Sequence, residues 1–305
     1  MSTPVRNVLP FDRFIALAGP ATALWRTVLG IGLIGGFYYI ALPLILRLIL
    51  SDTAQNALEQ GSSRGAVLTL LALTSGQIFA LAVVLRWLHG RSLMSVLGHP
   101  VLGAEAFVRV FPAVLAISAV AVFFPPWTQT IADSQHGLGW ILTVIIALPL
   151  LLVQVSAEEL IFRGYLIQQL GALSRSRWVW QVCPALLFGI PHALNADDPL
   201  LGLFWAIWAT ALGLALADLT ARHGTLGPAI GLHLGINALP ILLLNVQGAP
   251  MSGLALMLAP APPASELGLD DLFSPIGIGI LIYILIDCSI RVGTLWLSAR
   301  VAIRR

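Results

Sequence analysis

The run LTVIIALPLLLVQV, residues 142–155, holds no charged side chain and leads directly into SAEELIFRGYL, residues 156–166. It is one of eight apolar stretches, near 27–50, 66–88, 107–126, 139–158, 179–192, 201–220, 226–245 and 274–297. A helix needs about 20 apolar residues to cross the hydrocarbon core of a bilayer. No water is available there to bond an open sheet edge, so such single runs cross as helices. The expected fold is all-α: a polytopic membrane helical bundle of about eight transmembrane helices, forming one integral-membrane domain over 1–305. Composition agrees. The chain is 58% hydrophobic and 10% charged, against about 25% charged in soluble domains. A net charge of +2 gives no basis for a nucleic-acid partner.

Cys183 and Cys288 both fall inside apolar runs, which argues against a disulfide framework or a cysteine metal site. Arg6, Asp12, Arg13 and Arg26 interrupt the N-terminal region, and the first apolar run is too long for the core of a cleavable signal. Arginine placement gives an orientation. With the N-terminus inside, the inner segments hold Arg6, Arg13, Arg26, Arg86, Arg91, Arg109, Arg175, Arg177, Arg222, Arg300, Arg304 and Arg305, and the outer ones only Arg47 and Arg64. Both termini are therefore expected in the cytoplasm. Arg163 and Arg291 are left at membrane depth.

Two connecting segments have their own expectations. The outer segment 247–273, with APAPPASELGLDD, reads as an irregular, solvated connector, with a substrate-guiding lid as the alternative. VLPFDRFIAL, before the first run, reads as a helix lying along the membrane surface. His89, His99, His136 and His223 fall in or near loops and read as solvated.

Charge at membrane depth needs a reason, because each group costs roughly 2.5–3.5 kcal/mol even on the lenient insertion scale. Glu159 and Arg163 are four apart on a helix, share a face and can pair. Glu158 is rotated about 100° away and has no local partner. Phe188 and His192 are four apart in FGIPH, and His233 and Asn237 are four apart in HLGIN. Each of these polar residues alone could be a helix cap or a helix–helix contact. Depth ties them together. If runs four and five form a hairpin turning at GALSRSRW, Glu158 lies thirteen residues before Gly171 and His192 fourteen after Trp178. At 1.5 Å per residue both sit about 20 Å from the turn. His233 and Asn237 come from run seven, within side-chain reach. Asp287 with Arg291 and Asp218 with Arg222 read as structural i,i+4 pairs.

EELIFR, FGIPH and HLGIN, in this order on successive runs, resemble the EExxxR, FxxxH and HxxxN/D motifs of the CPBP family. That family groups CAAX prenyl proteases with bacteriocin-processing and self-immunity proteins. The resemblance covers about 139–244, making 139–245 the expected catalytic motif-bearing core, and it implies an intramembrane endopeptidase. Glu158, His192, His233 and Asn237 are then the expected catalytic residues. Glu158 is the general base, His192 holds the water, and His233 and Asn237 aim N–H donors at the oxyanion. Glu159, Arg163 and Phe188 support them from behind. No cofactor is favoured. The rival is zinc held by Glu158, His192 and His233 with water in the fourth place, although the spacing is not that of HExxH. The expected partner is a peptide or protein with a hydrophobic or lipidated tail, amid membrane lipids. Two readings of another class stay open: a non-catalytic immunity or regulatory membrane protein, and a transporter, for which no internal repeat symmetry argues.

Overall fold

The computed structural model describes residues 9–61, 63–123, 131, 133–134, 138–196, 198–260 and 269–304. Arg6, His136, Arg305 and residues 261–268 of the proline-rich acidic stretch lie outside these. Among the described residues six helices are long and apolar enough to cross a membrane: Leu24–Ile49, Arg64–His89, Pro100–Val120, Gly139–Leu173, Pro199–His223 and Pro275–Ala302. Two shorter apolar helices, Trp178–Leu194 and Gly227–Leu242, fall fifth and seventh in chain order. The eight are called spans one to eight. They match the eight apolar runs, and the bundle is a polytopic helical membrane fold.

Span seven is short because it is an inner helix. Its 16 residues reach about 24 Å, less than the roughly 30 Å of hydrocarbon. Spans three, four, six and eight pack around it. Gly227, Gly231 and Gly235 recur every four residues along one side. A Cβ at Gly227 would overlap the Gly103 carbonyl oxygen, and one at Gly235 would sit 2.8 Å from the Val114 side chain. Missing side chains thus let spans three and seven touch along their backbones, as small-residue stripes do in membranes. That contact fixes the depth of His233.

Three helices widen into π turns. Those at Phe37–Ala41 and Trp178–Val182 each end two residues before a proline, Pro43 and Pro184. A proline ring clashes with the carbonyl four residues earlier and removes a donor, and the widened turn absorbs both effects. The third, Leu160–Leu166, has no proline near it and starts directly after Glu159. Span four is therefore an α-helix to Glu159, a π turn, and an α-helix again from Ile167 to Leu173.

Three expectations are corrected. Pro10–Ala16 is a helix, but its apolar face is used on the protein. Phe14 and Ile15 are buried, Phe11 stacks on Trp180 at 4.3 Å, and Asp12 meets Arg175 at 2.5 Å. The outer connector is not irregular where it is described. Leu244–Val246 (β2) pairs in parallel with Met257–Ala259 (β3), and β3 pairs antiparallel with Asp133–Ser134 (β1). Leu254 and Ala255 are fully buried, and Trp140 Nε1 donates to the Leu242 and Leu254 carbonyls at 3.2 and 3.3 Å.

His89 is the third correction, since it is buried rather than solvated. Its Nδ1 faces the Ala21 carbonyl at 2.8 Å and so donates, which leaves Nε2 to accept from the Tyr165 hydroxyl at 2.9 Å. This ties span two and the N-terminal segment to the π turn of span four. The loop after span two adds a second tie. Arg91 donates to Gln168 and, at 3.2 Å, to Ser95 Oγ. Burial holds the Arg91 guanidinium down to about 10. His99 is exposed as expected, and His223 is half-buried against Thr225 Oγ1 at 2.8 Å.

Candidate active site

The site is built on the turn of span four that precedes the π turn. Glu159 and Arg163 are both fully buried and pair at 3.1 Å. The Arg163 guanidinium also lies over the Phe188 ring at 4.1 Å, a cation–π contact that offsets part of its lost hydration. Phe188 is the central packing piece. Its ring meets Phe162 at 5.2 Å, His192 at 4.7 Å and His233 at 5.9 Å. Phe188 thus forms the wall against which the polar groups sit.

Span five turns into a 3-10 helix at Ile190–Asn195, across Pro191. His192 Nδ1 faces the Phe188 carbonyl at 2.8 Å. A carbonyl only accepts, so Nδ1 carries the proton and Nε2 is the free ring nitrogen. His233 of span seven is buried and lies between the two glutamates. Its Nδ1 is 2.8 Å from Glu159 Oε1, and its Nε2 is 3.7 Å from Glu158 Oε2. As the imidazolium it donates from both nitrogens; as the neutral ring it gives Nδ1–H to Glu159 and keeps a lone pair on Nε2.

Glu158 keeps partial access, with 21% of its side chain exposed against none for Glu159. The rotation expected between the adjacent glutamates thus separates a locked carboxylate from an accessible one. Gln154 Nε2 donates to Glu158 Oε1 at 2.6 Å. Asn237, one turn beyond His233, is half-buried and has no hydrogen-bond partner among the described residues. His192 and Glu158 are near enough to interact electrostatically, as are Tyr38 and Tyr39 of span one with Glu158.

Spans four, five and seven therefore bring Glu158, Glu159, Arg163, Phe188, His192 and His233 into one connected cluster, with Asn237 at its edge. Sequence spacing tied Glu159 to Arg163 alone; the structure adds His233, so this carboxylate holds two partners from two helices. Gln154 was not anticipated. Its signal was present, because it stands four residues before Glu158 as a polar side chain in a charge-free run. The tyrosines of span one carried no such signal.

Among the described residues no group of three His, Cys, Asp or Glu side chains is placed close enough to hold a metal ion, while His192 and His233 each use Nδ1 for a protein partner and keep Nε2 for other contacts. The outlying pairs are as expected. Asp287 meets Arg291 at 2.7 Å, and Asp218 meets Arg222 at 2.7 Å. Asp218 also accepts from Trp296 Nε1 at 2.9 Å, joining spans six and eight. Both cysteines are free.

Residues 139–239 match the family model described as type II CAAX prenyl endopeptidase Rce1-like. The chain is also similar to YyaK, an uncharacterized protein of Bacillus subtilis (strain 168). Identity is 25% over 150 residues, 48% of this chain and 49% of that protein, so about half of the relative's length is spanned. No solved structure gives a significant match. The matched segment holds every residue of the cluster and omits spans one, two, three and eight.

Proposed function

We propose that this chain, whose residues 139–239 match the family model of the Rce1-like type II CAAX prenyl endopeptidases, is an intramembrane endopeptidase that works by glutamate-activated water. The observation that carries the reading is His233, a buried imidazole held between a locked and an accessible glutamate. Water is held between Glu158 and the free Nε2 of His192. Glu158 takes one proton from it as the C–O bond forms, then returns that proton to the amine nitrogen as the C–N bond breaks. His233, as the imidazolium backed by Glu159, and Asn237 donate to the oxyanion. Loss of one such donor typically costs about 10²–10³ in rate. Glu159 and Arg163 hold His233 and the helix in place, and Phe188 keeps bulk water off that side.

The substrate is a membrane-associated peptide or protein with a hydrophobic or lipidated tail. The protein sits in the bacterial cytoplasmic membrane with both termini in the cytoplasm, the arrangement favoured by its arginine distribution. The test is purified protein in detergent with a pool of short hydrophobic and lipidated peptides, with and without excess chelator. Cleavage that survives chelation and is lost in Glu158→Ala and His192→Ala, with folding retained, supports the reading. Stoichiometric zinc with chelator inhibition would replace it with a metal-dependent protease. Absence of any cleavage would leave the immunity or regulatory protein.

A further inference from the structure

Gln154 is a polar side chain, 6% exposed, in an otherwise apolar turn of span four. Its hydrogen bond to Glu158 Oε1 at 2.6 Å is the one hydrogen bond the Glu158 side chain makes among the described residues. The 3.7 Å approach of His233 Nε2 is too long to count as another. An ionised carboxylate only accepts, so the NH₂ end of the amide is the end that faces it. The other end, Oε1, is buried without a partner. An unpaired buried acceptor destabilises a fold. Leucine or methionine would therefore serve packing better here, and the amide needs a reason other than stability.

We propose that Gln154 is a positioning residue for the hydrolysis. Its amide pins Oε1 of Glu158 and leaves Oε2, the oxygen facing His233, to take the proton from water. The free carboxylate would otherwise swing between rotamers, because Glu158 keeps access to the pocket while Glu159 is locked. One turn of helix sets the geometry, since residues four apart lie one above the other. The inference rests on Glu158 being the general base.

The test is Gln154→Met, which keeps an unbranched side chain of similar length and removes the donor. The expected result is a fall in kcat of about 10²-fold, as for a small misplacement of a reacting group, with KM unchanged and the melting temperature in detergent unchanged or raised. Gln154→Leu gives the same answer if the methionine variant does not fold. A folded variant with wild-type kcat, or one that loses only KM or thermal stability, overturns the proposal. Glu158→Ala is measured beside it. Wild-type turnover in Glu158→Ala means the reading of the base itself fails. An inactive Glu158→Ala beside a fully active Gln154→Met means that only the positioning role fails.

Discussion

Glu159–Arg163 in span four and Asp287–Arg291 in span eight are both acid–arginine pairs four residues apart inside an apolar helix. Their surroundings are opposite. The first is closed off, with 1% and 0% of the two side chains exposed; in the second Arg291 is 62% exposed. The open pair is also the shorter, 2.7 Å against 3.1 Å, because Glu159 divides its oxygen between Arg163 and His233. Spacing on a helix dictates that a pair forms. Whether it is peripheral or central depends on what the neighbouring spans bring to it, and only span four receives an imidazole from another helix.

Breaking the two pairs should therefore have unequal consequences. The largest effect is expected for Arg163→Ala. It leaves the fully buried Glu159 carboxylate with His233 alone, and losing one partner of a buried pair costs about 3–5 kcal/mol, read as a large drop in melting temperature in detergent. Glu159→Gln comes next. Gln still offers a polar end to both partners, but the buried Arg163 loses its counter-charge, so stability falls as well, and with His233 no longer held by a carboxylate turnover falls by about 10²–10³ as for a missing oxyanion donor. Asp218→Ala removes the acceptor for Trp296 between spans six and eight, and thermal stability is expected to fall by about 1–3 kcal/mol at unchanged kcat. Asp287→Ala closes the series. Its pair stands outside the spans that carry the cluster, so most of the turnover is expected to remain, even though Arg291 is left unpaired at membrane depth. Abolished turnover in Asp287→Ala at normal expression would erase the contrast and move span eight into the site.

Much of this was legible in the chain because both signals are local and strong. Apolar run length places six of the eight spans within about five residues at each end, while span three starts earlier and span four runs on further than its apolar run, and the shared depth of Glu158 and His192 follows from counting outward from one turn. What escaped depends on contacts between distant residues. The π turn after Glu159 has no proline to announce it, unlike the two that precede Pro43 and Pro184. The burial of His89 depends on Ala21 and Tyr165, 68 and 76 residues away. The small sheet around β3 is specified by Trp140 and the end of span seven, not by the strands themselves. Glu159 was assigned to Arg163 alone because a helix face is visible in sequence and a neighbouring helix is not.

The central claim is that an accessible glutamate, beside a locked one and two imidazoles, activates water for peptide hydrolysis. The most direct measurement is cleavage of a hydrophobic-tailed peptide by purified wild-type protein and by Glu158→Gln, which keeps the side-chain shape but cannot take a proton. The account predicts defined cleavage by the wild type and none above background by the variant at an equal melting temperature. Equal cleavage by both proteins would contradict it.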